Sequence, residues 1–240
     1  MEQHNNIINV AAKNCLAPEG LFRKGNSRCW IDDNDWFMIQ VEFQPSAYGQ
    51  GSYLNVGIDF LWERTKELNE VLAFAYGGRM SVNGTQFAAY APGAKNGHAD
   101  FTAEMEAYAA AALEKVTEYR RFRDLDHAKR ILMQKAEQVS EKCLTWDVYN
   151  LSMLCFFKRD FEEGKEYFCK FLNILKNSFC HGAHYIEWHE DYYNYCQKEI
   201  CPQIVSAESA QRMVFDMINR RRAFFNSKTS YKKMKKDIMF

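Results

Sequence analysis

The chain has 240 residues, 47% of them apolar and 26% charged, with eighteen Phe, thirteen Tyr and five Trp. That length and composition describe a globular protein able to bury a core without disulfides, and they exclude a disordered or collagen-like chain. Net charge is zero but unevenly placed: about −3 over the first hundred residues, about −4 over 101–211 and about +7 over 212–240, so only the end of the chain has the charge of a polyanion binder.

Residues 3–16 place Ile7, Ile8, Ala11, Ala12 and Cys15 on one helical face, and Pro18 and Gly20 end that helix. A short strand follows at 28–31, then a polar turn from Asp32 to Asp35. From Trp36 the period is two. Phe37, Ile39, Val41 and Phe43 form an apolar face that belongs in the core, while Trp36, Met38, Gln40, Glu42 and Gln44 lie opposite. Pro45 stops this strand, and 53–60 alternates again, with Leu54, Val56, Ile58 and Phe60 inward. The short connections imply an antiparallel meander. Residues 62–75 read as a short helix ended by Gly77-Gly78. Asn83-Gly84 between 79–82 and 85–90 is a hairpin signal, since both residues tolerate the positive φ of a type I′ turn.

From Asp100 onward the pattern is helical. Asp100 is read as the cap of one helix and Asp124 of the next. Trp146, Tyr149, Met153 and Phe157 mark a helix that turns at Arg159-Asp160 into another, with Phe161, Phe168, Phe171 and Leu175. Gly164 and Phe168 resemble the small and large packing residues of a tetratricopeptide unit, but no second copy follows at a fixed period, so a repeat array is rejected. Helices are expected over 183–200 and 207–225, the latter capped by Ser206. The expected fold is α+β: residues 1–97 form an antiparallel sheet of about five strands with a flanking helix, 98–226 an all-helical region packed on or beside it, and 227–240 a solvated basic tail.

Candidate chemistry is sparse. His181, His184, Glu187 and His189 are the metal candidate, because zinc takes imidazole and carboxylate ligands. His184 and Glu187 share a helix face, but His184 and His189 lie about 140° apart around a helix, which is not the geometry of an HExxH site. Arg220, Arg221 and Arg222 with Lys232, Lys233, Lys235 and Lys236 form a basic cluster able to hold phosphates or an acidic partner. Asp32, Asp33 and Asp35 lack the pattern of a calcium loop and read as exposed turn acids. No phosphate-binding glycine loop and no serine nucleophile motif occurs, so no cofactor is expected. Most of the eight Cys read as buried, reduced thiols. The N-terminus lacks the pattern of a secretory signal and no segment has the length and apolarity of a membrane span, so the expected location is cytoplasmic, with no membrane partner.

One stretch carries a family resemblance. Gly20-Leu21-Phe22-Arg23-Lys24-Gly25 after a leading helix, a strand closing on Gln40 or Gln44, the Tyr48-Gly49 loop and Tyr53-Leu54-Asn55-Val56-Gly57-Ile58 together resemble the bacterial family called domain of unknown function 4304. The resemblance covers residues 7 to about 130. It implies a cytosolic bacterial α+β module and no activity. The charged strand that family places after the Asn-x-Gly-Ile segment is here reduced to Arg79. On the sheet, Trp36, Gln40, Gln44, Tyr53 and Asn55 outline a candidate binding face. The expected function is non-enzymatic: binding another protein, as an accessory or toxin-neutralising module. The alternatives are a metal-dependent hydrolase or nucleic-acid-processing enzyme using the histidine cluster, and a nucleic-acid binder acting through the basic terminus.

Overall fold

A computed structural model describes residues 3–62, 74–91, 93, 97–137, 146–180, 187–231 and 234. These form two compact units: residues 3–59, 74–120 and 225–234 make one, and 60–62 with 121–224 make the other. The helix expected at 62–75 lies almost wholly outside the described residues. No helix among the described residues is long and apolar enough to cross a membrane.

The first unit holds the antiparallel sheet. Helix α1 (Gln3–Leu16) precedes strands β1 (Phe22–Arg23), β2 (Cys29–Asp33), β3 (Phe37–Gln44), β4 (Gly51–Phe60), β5 (Tyr76–Arg79) and β6 (Phe87–Ala89). The order is β1-β2-β3-β4-β5, with β6 also paired to β4. The alternating apolar sets on β3 and β4 are all buried, as their period predicts. Each such side chain removed from water contributes about 2 kcal/mol. Helix α2 (Gly97–Tyr119) packs along α1 and reaches β3 and β6. Its buried stripe of Phe101, Met105, Tyr108, Ala112 and Val116 matches the spacing in the sequence. The helix starts before Asp100, which therefore lies in the first turn rather than at the cap.

Two local features depart from the sequence reading. Strand β2 runs on through Asp32 and Asp33, so the turn tightens around Asn34 and Asp35, where Asp35 takes φ 68°. Asp32 is consequently buried instead of exposed. Asn83 and Gly84 do form the expected turn, with φ 52° and 81°, and Val82 and Thr85 pair across it. Its arms, however, lie end to end along β4: β5 pairs with Asn55–Ile58 and β6 with Gly51–Tyr53.

The second unit is helical. It contains α3 (Leu125–Glu137), α4 (Trp146–Lys158), α5 (Phe161–Cys180), α6 (Glu187–Tyr195) and most of α7 (Ala207–Asn226). Asp124 caps α3 as expected, its Oδ1 accepting from the main-chain N–H groups of Asp126 and His127 at 2.9 and 3.1 Å. Ser206 caps α7. Residues 148–156 of α4 are all buried, so this helix lies in the core between α3 and α5 rather than showing one stripe to it. The turn into α5 places Arg159 at φ 70°. Gly164 lets α5 approach α4 closely; a Cβ there would sit 2.6 Å from the ring of Phe156.

Candidate functional site

The outward face of β4 carries a polar cluster assembled across three strands. Asn55 stands opposite Arg79, and Tyr53 opposite Phe87. The Asn55 amide donates to Glu42 Oε2 at 3.0 Å and to Gln44 Oε1 at 2.8 Å. Arg79 donates from Nη2 to Gln44 Oε1 at 2.7 Å and from Nε to Asn55 Oδ1 at 3.4 Å. Its guanidinium lies 3.9 Å from the Tyr53 ring centre, and Tyr53 packs on Phe87 at 4.8 Å. Arg79 is exposed, yet it is held by a ring and two neutral amide oxygens, and no carboxylate pairs with it among the described residues.

Of the five residues that outline the face in sequence, Gln44, Tyr53 and Asn55 come together here. Trp36 and Gln40 do not take part in this cluster. They are 4% and 7% exposed, because the first half of β3 is covered on both faces, Met38 included. Arg79 and Glu42 complete the cluster in their place. The face has no activated thiol. Cys29 pairs with Glu42 across the strands, and burial, reinforced by the Glu42 charge, pushes its thiol up to about 11. It stays protonated at neutral pH.

Glu42 also lines a cleft of about 1090 Å³ bounded by the start of α1, the turn between β1 and β2, and the β3–β4 loop. Arg28 reaches across it, donating to the Gly51 carbonyl at 3.1 Å and to Asn5 Oδ1. At its rim stands Tyr48, 98% exposed.

The histidine cluster is not assembled among the described residues. His181 and His184 lie outside them, as does the side chain of Glu187. His189 is buried in α6, with Nδ1 2.7 Å from Ser178 Oγ. The Ser178 hydroxyl donates to the Leu175 carbonyl at 2.6 Å, so His189 supplies the proton of the shared bond. Burial holds its pKa below the ordinary value. This is a neutral histidine tying α6 to α5.

Of the basic cluster, Arg221 and Arg222 are buried, Arg222 completely, and Arg220 is exposed. Lys232, Lys233, Lys235 and Lys236 lie outside the described residues. The start of the tail packs rather than being solvated. Tyr231 is buried, packs against Phe225 in a tilted ring pair with centres 4.6 Å apart, and lies beneath the Lys24 ammonium at 5.0 Å.

Sequence reasoning passed over one further cluster. Cys155, Asp160 and Glu163 bring their ligand atoms within 4.8 Å of one another. The Lys129 ammonium stands among them, 2.7 Å from Asp160 and 2.6 Å from Glu163, and supplies the positive charge there. Burial raises the Asp160 pKa, but Lys129 and Lys158 outweigh it and hold the carboxyl below its usual range. A depressed carboxyl stabilises the fold above the unfolded value and loses that contribution as pH falls through the folded one. Lys129→Met is therefore expected to cost about 1–2 kcal/mol at neutral pH, after discounting for solvent screening. In urea titrations the gap from the parent should narrow as pH drops below about 4. A gap independent of pH would mean that lost packing, not charge, is the cause.

Comparison with protein families, with curated proteins and with solved structures finds no match to this chain. The functional reading therefore rests on the residues alone.

Proposed function

We propose that this chain is a non-enzymatic module that binds another protein through the face centred on Arg79, Tyr53, Gln44 and Asn55. The observation that carries this reading is an exposed arginine that is already immobilised. Ordering a free arginine on binding costs about 0.5–1.5 kcal/mol, and the Tyr53 ring and two amide oxygens have met much of that cost in advance. Arginine and tyrosine are also the side chains that most often dominate interface energies. Strand addition at a sheet edge is a poorer mode here. Strand β1 has two residues, and β5 and β6 are separate short strands.

The resemblance to the bacterial family, the cytoplasmic location and an accessory role, of which toxin neutralisation is one instance, belong to this same proposal.

The test is capture from the native host with tagged protein, followed by affinity measurement on the partner recovered. Arg79→Ala should weaken that partner about tenfold or more. Arg79→Lys should weaken it too, because the planar fork is lost. If circular dichroism shows both variants folded and the partner binds them as it binds the parent, the face is not the interface.

A further inference from the structure

We infer that the cleft beside this face seats an acidic, carboxylate-bearing stretch of polypeptide, with Arg23 as its anion contact and Tyr48 as its aromatic contact. The inference rests on the protein-binding reading above and names the chemistry of the segment bound.

Arg23 is the central observation. Its Nε donates to the Ser27 carbonyl at 2.6 Å and its Nη2 to the Asn26 carbonyl at 2.8 Å. Both acceptors are neutral main-chain groups, and no carboxylate pairs with Arg23 among the described residues. The guanidinium is thus oriented by its own turn while its charge is not cancelled there. Nη1 takes part in neither bond, and a guanidinium pairs most strongly with a planar carboxylate across two parallel N–H groups. Among the described residues of the lining Glu42 is the acid, and Arg28 also stands there, engaged with Asn5 and the Gly51 carbonyl.

Size and charge spacing select the ligand. At about 1090 Å³ the cleft exceeds the usual range for a small-molecule pocket and suits a chain segment. Glu42 is part of the lining, and its Oε2 accepts from Asn55. A nucleic acid would bring a phosphate at every unit and meet that carboxylate. A peptide can space its acids with neutral residues and avoid it. Tyr48 supplies a large apolar surface that binding would remove from water, with few rotors to fix.

The test is fluorescence anisotropy on the full chain with a fluorescein-labelled peptide of alternating glutamate and serine. A lysine–serine peptide and an oligouridylate are the comparison probes. The acidic peptide should bind, weaken as salt is raised, and weaken about tenfold in Arg23→Gln and in Tyr48→Ala. The lysine peptide should not bind. Tyr48 is so exposed that its replacement leaves the fold intact, so it still reports if Arg23→Gln disturbs its turn. The inference is overturned if the acidic peptide does not bind the parent chain or binds both variants equally. It is also overturned if oligouridylate binds with the same dependence on Arg23. If the acidic peptide fails while a natural partner still depends on Arg79, the inference falls and the protein-binding reading stands. If the peptide binds and no partner depends on Arg79, the reverse holds.

Discussion

Gly77→Ala is expected to destabilise the sheet unit by about 3 kcal/mol or more, because two independent penalties fall on one methyl group. Gly77 sits at φ 92°, which L side chains rarely adopt. It also faces Gly57 across β4 and β5, the one place where the two strands meet glycine to glycine. A Cβ on Gly77 would lie 2.6 Å from the Tyr119 hydroxyl and 2.9 Å from the Gly57 Cα, and would press on the Val56 carbonyl oxygen as well. Two of those three neighbours are backbone and cannot move without disturbing the ladder. Controls separate the two penalties. Gly84 has φ 81° with open space around it, so Gly84→Ala should show the conformational cost alone, about 1–2 kcal/mol. Gly49→Ala, with open space and no positive φ, should be neutral. Urea midpoints, with hydrogen exchange at the β4 amides, give the comparison. If Gly77→Ala loses no more than Gly84→Ala, the crowding argument is wrong.

The contrast between Gly77 and Gly84 shows where the sequence was readable. A turn is local: Asn83-Gly84 announces itself because two adjacent residues both accept positive φ. What its arms pair with is not local. Strand β4 has ten residues and the arms only four and three, so both fit along it, and nothing within 79–90 says so. The core face of β3 and β4 was legible for the same reason as the turn, since a period of two needs only one strand to be seen.

The binding face mixes the two cases. Parity alone places Gln44, Tyr53 and Asn55 on one side. The burial of Trp36 and Gln40 depends on what covers the strand, which parity does not report. Arg79 looked like the remnant of a charged strand, because its partners stand 24 and 35 residues away. The triple arginine is different, because the limit on it was present in the sequence. Consecutive helical residues are about 100° apart, so three in a row span too wide an arc to share one solvent face. Arg221 and Arg222 accordingly turn inward while Arg220 stays out. Tyr231 among lysines carried a similar hint, since a buried aromatic anchors the segment that a count of charge alone assigns to solvent.

Asp32 is the carboxylate on which the second large effect turns. It sits in a strand and is nearly inaccessible, a costly place for a charge without a partner. Arg120, following α2, makes the place tenable. It donates from Nε to Asp32 Oδ2 at 2.8 Å and from Nη2 to Oδ1 at 3.1 Å, while Nη2 also reaches the Glu19 carbonyl at 2.7 Å. The Asn34 amide adds a bond to Oδ2 at 2.9 Å. Arg120→Leu leaves the buried carboxylate with that amide as its remaining side-chain donor, and is expected to cost about 3 kcal/mol in the urea unfolding of the sheet unit. Asp32→Asn should cost less, because Arg120 is the more exposed partner and water can replace the lost charge. The double variant is the decisive measurement. With no buried charge left to solvate, it should recover part of the Arg120→Leu loss and show coupling of about 1–3 kcal/mol between the sites. Losses that simply add would mean that the two side chains stabilise the unit independently, and that the bidentate pair is not what keeps Asp32 in the strand.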